Sequence, residues 1–420
     1  MTPNPALGVF LHWLGGLASG SFYVPYRGVK HWAWETFWLA GGIFSWIIAP
    51  WLLGLLITKD LGAVLSESPK ITLFWTFFFG LLWGIGGLTF GLTMRYLGLS
   101  LGMAVVLGLC AAFGTLMPPI FRGEFMTQVL GTNSGRVILL GIVVCLVGIA
   151  LAGLAGVYKE RTMSPEQQKA AINEFNLKKG VAVATLSGVM SACFAYGLAA
   201  GDPIKSLTLR HGTPVLWQGL PVLVVILIGG FTTNFIWCVI LNIRNKTGYQ
   251  YFRSQSRSLN PVEQQDTIIE TAIDAYGREV VEHTASSMKV VDLEQRSVIP
   301  VAEPPTKKQH LVRVPMLANY LFCALAGTTW YFQFFFYTMG ETQMGRYKFS
   351  SWTLHMASII IFSSLWGISL KEWKGGGVLA GWCLFFALAL LIGSTAIVGY
   401  GCCISGFLSA LPIRHCKFFN

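Results

Sequence analysis

Ten apolar stretches of membrane-spanning length run through this chain of 420 residues. A run of about 18 or more apolar residues with few charges is long enough to cross the hydrocarbon core of a bilayer as a helix. The sequence therefore predicts an all-α membrane protein with ten transmembrane helices. The predicted spans are 7–26, 36–57, 72–94, 99–120, 136–157, 179–200, 214–241, 314–338, 350–370 and 377–400.

The composition of the chain supports this class. Hydrophobic residues make up 54% of the sequence and charged residues 12%, about half the charged share of a soluble domain. Proteins that bind nucleic acid also carry net charges such as +11, but here the basic residues lie between the predicted spans rather than in one stripe. They therefore indicate membrane topology, and the expected partner is a lipid bilayer and not nucleic acid.

The sequence gives no support for an enzyme. Six of the nine cysteines lie inside predicted spans and no two form a CxxC pair, so we predict neither a disulfide framework nor a metal site, and no cofactor. The chain has no phosphate-binding GxxxxGK[ST] loop and no HExxH motif. These features favour a secondary transporter over an ATP-driven pump or a membrane enzyme.

A short internal repeat suggests that the ten spans form two related halves. Four positions recur at a constant spacing of 172 residues: Leu14 with Leu186, Gly16 with Gly188, Ser19 with Ser191, and Phe22 with Phe194. Small residues are common in membrane helices, so chance is the alternative explanation. Five spans per half is an odd number, and the second half must then enter the membrane from the opposite side. We therefore predict two inverted five-helix repeats, with a binding site near the midplane where they meet.

The repeats divide the chain into segments, and a polar insertion interrupts the second repeat. The insertion at 243–313 contains few large apolar residues, so it cannot build much of a core; we expect a solvent-exposed, cytoplasmic loop with a short helix near 263–285. The predicted segments are a first repeat at 1–157, a connecting loop at 158–178, a second repeat at 179–242 and 314–400, and a C-terminal tail at 401–420.

The placement of lysine and arginine predicts the orientation of the chain. Cytoplasmic loops of membrane proteins are enriched in these residues. With the N-terminus outside, the loops that face the cytoplasm hold 20 of the 30 basic residues, and half of those lie in the insertion and its flanks. The start of the chain lacks the basic residues of a signal peptide, so the first span is expected to be retained. We predict that both termini lie outside.

Two histidines inside predicted spans are candidates for function, because ionisable groups within a membrane are costly. His12 lies in the first span, one turn before Gly15 and Gly16, and His355 lies in the ninth span. A neutral imidazole can bond a ligand hydroxyl or take up a proton near physiological pH. Both histidines are therefore candidates for substrate binding and for proton coupling, and a bond to a neighbouring helix is the structural alternative.

Glu35 opens the second span and is the carboxylate nearest to the first two spans. It is a third candidate for proton coupling. Alternatively, it caps a helix, because the backbone dipole favours an acid in the first turn.

The eighth span combines one amide with seven aromatic residues. Gln333 can donate to and accept from hydroxyl groups, and aromatic faces stack on apolar C–H faces. Aromatic residues that only face lipid would be the structural alternative. The combination favours a polar, uncharged ligand, with Trp330, Tyr331, Gln333 and Tyr337 as candidate substrate-binding residues. Arg95, at the end of the glycine-rich third span, is expected to reach towards the interface.

Several strings resemble the L-rhamnose–proton symporter family, a branch of the drug/metabolite transporter superfamily. They extend over nearly the whole chain outside the insertion, and they are specific when taken together. The strings are SFYVPYRGVKHWAWETFW (21–38), WGIG (83–86), GLTMRYLGLSLG (91–102), GTLMPPI (114–120), EFNLKKG (174–180), WYFQFFFY (330–337), SWTLHM (351–356) and LKEW (370–373). Enteric members of that family carry asparagines where this chain has Gly87, Leu88 and Thr89.

The resemblance implies a ten-helix transporter of the bacterial inner membrane that imports L-rhamnose, or a related methylpentose or hexose, together with a proton. The alternative is a transporter of the same superfamily that moves another small polar solute, including by export. Sodium is the alternative coupling ion, because hydroxyl-bearing residues that could supply oxygen ligands are plentiful in the spans.

Overall fold

The computed structural model describes residues 3–97, 99–162, 177–257, 311–371 and 373–410. These residues are almost entirely helical, because in lipid a backbone must satisfy its own hydrogen bonds. The helices are α1 (Pro5–Ser21), α2 (Tyr23–Tyr26), α3 (Trp34–Gly42), α4 (Ala49–Ile57), α5 (Leu61–Glu67), α6 (Lys70–Leu97), α7 (Leu99–Phe121), α8 (Asn133–Glu160), α9 (Leu177–Ala200), α10 (Asp202–Arg210), α11 (Leu220–Arg244), α12 (Met316–Gln343), α13 (Ser351–Ser369) and α14 (Gly377–Ala410).

Nine helical segments in the described part of the chain are long and apolar enough to cross a membrane. They correspond to the first seven, the ninth and the tenth predicted spans, so the prediction of a helical, multi-pass membrane protein is confirmed. The eighth predicted span corresponds to α12, a helix of 28 residues that is not among the nine. Its polar residues, which include Asn319, Gln333 and Glu341, lower its hydropathy.

Some observed helices differ from the predicted spans in local structure or in where they end. A π-helical segment, Ile43–Ile48, joins α3 to α4, and Pro50 follows it in the first turn of α4. Such segments occur frequently at functional sites, because they widen the helix and redirect side chains. At the end of the chain, α14 continues to Ala410 and so passes the predicted end of the tenth span at 400.

Small residues bring the helices of the bundle close together. The helix α1 packs on α12 and α13, whereas α9 packs on α6 and α7; α11 packs on α6, and α8 packs on α14. Gly16 of α1 lies directly against Ser358 of α13, and Gly188 of α9 lies against Leu109 of α7. Side chains at these glycines would hold the helices apart, and close approach is what stabilises helix pairs in lipid.

The ends of the polar insertion are tied together. Strand β1 (Gln255–Arg257) pairs antiparallel with strand β2 (Leu311–Arg313). Beside this ribbon, the hydroxyl of Tyr320 donates to the carbonyl oxygen of Tyr251 at 2.7 Å. The insertion therefore leaves the bundle and returns to it at one place, between the end of α11 and the start of α12. The predicted helix near 263–285 lies outside the described residues.

The packing of α6 on α11 leads to a stability prediction. A Cβ atom at Gly80 would overlap the carbonyl oxygen of Ile226 and lie 2.9 Å from its carbon, whereas a Cβ at Gly87 of the same helix meets no atom within 4 Å. We expect Gly80→Ala to destabilise the protein by about 1–3 kcal/mol, because the helices must separate. Thermal unfolding in detergent, with Gly87→Ala as the control, measures this. Equal melting temperatures for the two variants would contradict the close contact.

Candidate functional site

Two fully buried histidines meet a tyrosine in the interior of the bundle. His12 of α1 and His355 of α13 are both 0% exposed. The ring centroid of each lies 5.2 Å from the ring centroid of Tyr337 in α12. The packing of α1 on both α12 and α13 brings these three side chains, here named the histidine cluster, together. The structure thus joins three residues that the sequence predicted separately.

The imidazole nitrogens of the histidine cluster lack hydrogen-bond partners. Neither Nδ1 nor Nε2 of His12 or of His355 is bonded to any described residue. A buried polar group without a partner costs about 1–3 kcal/mol, and proteins rarely leave four such atoms together. The alternative in which each histidine bonds a neighbouring helix does not hold for these four atoms. Such a cluster is suited to a ligand that can both donate and accept hydrogen bonds.

Aromatic rings form a wall beside the histidine cluster. Phe334 stacks on Phe194 with ring centroids 3.9 Å apart, and Trp352 lies 5.7 Å from Tyr337. Trp330 lies 5.7 Å from Trp83. The sequence indicated aromatic residues of the eighth span only. The wall also includes residues of α6, α9, α13 and the π-helical segment: Trp83, Phe194, Trp352 and Trp46.

The faces of α12 separate the candidate residues of the eighth span. Trp330, Phe334 and Tyr337 are spaced by four and three residues and so share one face, the face that carries the aromatic wall. Gln333 is 4% exposed and lies one turn before Tyr337; its backbone carbonyl oxygen is next to Gly15 of α1. Tyr331, in contrast, has ring contacts with Phe332 and Phe335 of its own helix.

A cavity that is lined by Tyr337, but by neither histidine, extends towards the face of the bundle on which α1 begins, here called the N-terminal face. Asn4, just before α1, donates its backbone N–H to Gln343 at the end of α12, which places both ends on this face. The cavity is open to solvent, and its empty space, with the open part included, is about 530 Å³. Tyr337 and Trp352 line the cavity together with charged residues: Arg122, Glu124, Asp202, Glu341, Arg346 and Lys348.

Glu35 lies near the opposite face, in a network of polar side chains. It is 4% exposed and accepts hydrogen bonds from the hydroxyl of Thr247 and, at 3.2 Å, from the side-chain amide of Asn245. The hydroxyl of Tyr251 donates to the backbone carbonyl oxygen of Glu35 at 3.4 Å. Burial raises the pKa of Tyr251, which keeps this hydroxyl protonated and able to donate. Glu35 does lie in the first turn of α3, as the capping alternative requires.

Glu35 is remote from the histidine cluster. His12 lies nine residues before the end of α1, and Glu35 lies beyond the turn that follows α2, so the two differ by about 20 Å along the bundle. None of the hydrogen bonds of Glu35 involves the cluster. The predicted proton-coupling residues therefore occupy two separate places. The side chain of Arg95 lies outside the described residues.

A membrane bundle that contains a buried polar cluster and an aromatic wall is typical of a small-solute transporter. The family model of the L-rhamnose-proton symport protein matches residues 1–250 and 302–404. L-rhamnose-proton symporters of Cronobacter sakazakii, Shigella sonnei and Escherichia coli are each 33% identical over 396 residues, which cover 94% of this chain and 97% of each relative.

The chain belongs to the L-rhamnose-proton symport protein family. This confirms the resemblance that the sequence strings indicated, and it makes the protein a transporter and not an enzyme. The family match omits residues 251–301, which lie inside the predicted polar insertion.

The Glu35 network generates a second stability prediction. Thr247→Val removes a hydroxyl donor from a buried carboxylate, and we expect a loss of about 1–3 kcal/mol, seen as a lower melting temperature in detergent. Thr185→Val is the matched control, because the exposed Thr185 hydroxyl bonds only the carbonyl of Val181 in its own helix. If both variants melted like the wild-type protein, Glu35 would not depend on this bond.

Proposed function

We propose that the protein imports L-rhamnose, or a related methylpentose or hexose, across the bacterial inner membrane by proton symport. The names of the relatives and membership of the family support the substrate and the proton. The observation in this chain that carries the proposal is the histidine cluster: four buried imidazole nitrogens without partners, beside an aromatic wall. A sugar offers what this arrangement needs, namely hydroxyl groups for the nitrogens and C–H faces for the rings.

The proposed architecture is ten transmembrane helices in two inverted five-helix repeats, with α12 as the eighth. The packing supports it, because equivalent helices make equivalent contacts: α1 packs on α12 and α13 as α9 packs on α6 and α7. Gly80 of α6 meets the carbonyl of Ile226, and Gly327, 247 residues later in α12, meets the carbonyl of Gly41. The same spacing relates Trp83 to Trp330, whose rings lie 5.7 Å apart.

The proposed sugar site lies between these two tryptophans and the histidine cluster. Trp330 and Tyr337 supply aromatic faces, Gln333 supplies an amide, and His12 and His355 supply imidazole nitrogens. Tyr331 belongs to the predicted set, but its ring contacts support a role in packing the back of α12. An inverted repeat favours such a central site, because both halves can move around it.

Proton coupling is proposed for the predicted residues His12, His355 and Glu35. The histidines have the stronger support, because they lie beside the proposed sugar site and the cavity. Glu35 is held by donors in the turn that follows α11, and this supports a second role in closing the face opposite the cavity. With both termini outside, the cavity faces outwards, as the loading step of an importer requires.

Uptake into proteoliposomes tests the function. We expect labelled L-rhamnose to accumulate when an inward proton gradient is imposed, and the accumulation to disappear when the gradient is collapsed. An imposed sodium gradient without a proton gradient is the control for the coupling ion. Accumulation of another solute in place of rhamnose, shown by competition, would favour the alternative substrate; absence of rhamnose uptake by folded protein would contradict the proposal.

The role of Gln333 is tested by a matched pair of substitutions in α12. We expect Gln333→Leu to weaken rhamnose affinity about tenfold, since it removes about 1.5 kcal/mol of hydrogen bonding. Gln343→Leu makes the same chemical change at a residue that bonds the backbone of Asn4 at the end of the helix, and its affinity should match the wild-type value. The measurement is quenching of tryptophan fluorescence during titration with sugar. Unchanged affinity in Gln333→Leu would remove this residue from the site.

A further inference from the structure

An ion cluster that the sequence analysis did not identify lies at the outer end of the cavity. Lys205 Nζ lies 2.9 Å from Glu341 Oε2 and 3.2 Å from Asp202 Oδ1. Asp202 Oδ2 lies 2.9 Å from a guanidinium nitrogen of Arg122 and 3.2 Å from Lys348 Nζ. These contacts link the end of α7, the helix α10, the end of α12 and the turn that precedes α13.

The pair of Lys205 and Glu341 is the buried part of this ion cluster. Their side chains are 8% and 12% exposed, whereas those of Arg122 and Lys348 are 38% and 40% exposed. Removing one charge of a buried ion pair is costly, because the other charge then stays buried without a partner. The state of Glu341 therefore decides whether the end of α12 stays attached to α10.

Glu341 lies beside the histidine cluster as well as in the ion cluster. It follows Tyr337 by four residues, which is about 6 Å along the same face of α12. A Cβ atom at Gly340, the residue before it, would lie 3.0 Å from Nε2 of His12. Glu341 and Tyr337 both line the cavity. Glu341 thus follows the residue that lies against His12, and it forms the salt bridge that joins two helix ends.

We propose that Glu341 is the carboxylate at which the cotransported proton enters, with Lys205 as its counter-ion before protonation. This inference rests on the proposed function and names its proton-binding group. A proton from water in the cavity binds Glu341 Oε2, and the ion pair with Lys205 is lost. Lys205 keeps its contact with Asp202, so its charge remains paired while α12 is released from α10. The helix that carries Gln333, Trp330 and Tyr337 is then free to move with the loaded sugar.

Asp202 is less suited to this role than Glu341. It holds three cations, so its protonation would disrupt three contacts at once, whereas protonation of Glu341 breaks one contact. The pH dependence of rhamnose binding also reflects the other charged and titratable groups around Glu341, which come from five elements. They are Lys205 and Asp202 of α10, Tyr337 of α12, His12 of α1, Arg122 and Glu124 at and after the end of α7, and Arg346 and Lys348 before α13.

The test compares the wild-type protein with Glu341→Gln in proteoliposomes and in detergent. Gln keeps the size of the side chain but cannot take up or release a proton. In the wild-type protein, rhamnose affinity should fall by about tenfold per pH unit above the working range, as linkage to one proton requires. In Glu341→Gln, we expect affinity that no longer changes with pH, retained exchange of labelled for unlabelled rhamnose, and loss of gradient-driven accumulation.

A matched control comes from a carboxylate outside the cavity that contacts a histidine. Glu67 lies 3.1 Å from Nε2 of His211. Glu67→Gln should keep the pH dependence of affinity and the accumulation of the wild-type protein. If the wild-type protein itself shows no proton-driven uptake, the proposed function fails. If the wild-type protein shows proton-driven uptake and Glu341→Gln behaves like it, the proposed function stands and this inference is overturned.

A second variant covers the case in which Glu341→Gln leaves Lys205 unpaired and disrupts the fold. The double variant Lys205→Met with Glu341→Gln removes both buried charges. Rhamnose exchange without gradient-driven accumulation in this variant supports the inference. Accumulation driven by the proton gradient overturns it. Loss of exchange in both variants also overturns it, because Glu341 would then be required for sugar binding or folding.

Discussion

The structure depends on how polar side chains are satisfied inside a bundle that lies in lipid. Backbone groups are satisfied within each helix, so the remaining cost falls on the few buried polar side chains. In the Glu35 network, hydroxyl and amide donors offset the cost of burying the carboxylate. In the ion cluster, opposite charges offset each other. The histidine cluster, in contrast, leaves all four of its imidazole nitrogens without hydrogen-bond partners among the described residues.

The two faces of the bundle differ in a way that suits alternating access. Towards the N-terminal face, a cavity reaches from Tyr337 to half-exposed Arg122 and Lys348. Near the opposite face, Glu35 is buried and accepts hydrogen bonds from the turn that follows α11, and Asn319 bonds the backbone of Lys30 in both directions, at 3.0 and 2.8 Å. An outward-open state of an importer would have this distribution of cavity and closure. Closing the N-terminal face and opening the opposite face would give the second state of a transport cycle.

Several residues of the candidate site could be predicted from the sequence, but the contacts between them could not. His12, His355 and Tyr337 could be identified because polar residues inside apolar spans are rare. Lys205 and Glu341 were missed because they lie at helix ends, where charges are ordinary, and no local pattern shows that the two side chains meet. The pairing of Trp83 with Trp330 did have a signal, a spacing of 247 residues shared with Gly80 and Gly327. It becomes visible only when equivalent contacts are compared.

The sequence by itself determined the class, because long apolar runs can satisfy their backbone in lipid only as helices. The strings that resemble the symporter family also indicated the family. The tertiary structure decided which candidates lie together: it placed the rings of His12 and His355 next to Tyr337, and it packed Tyr331 against Phe335. It also put Glu35 at one face and Glu341 beside the cavity. These choices depend on the rotation of each helix about its axis, which is set by close packing against neighbours and not by the apolar length that the sequence displays.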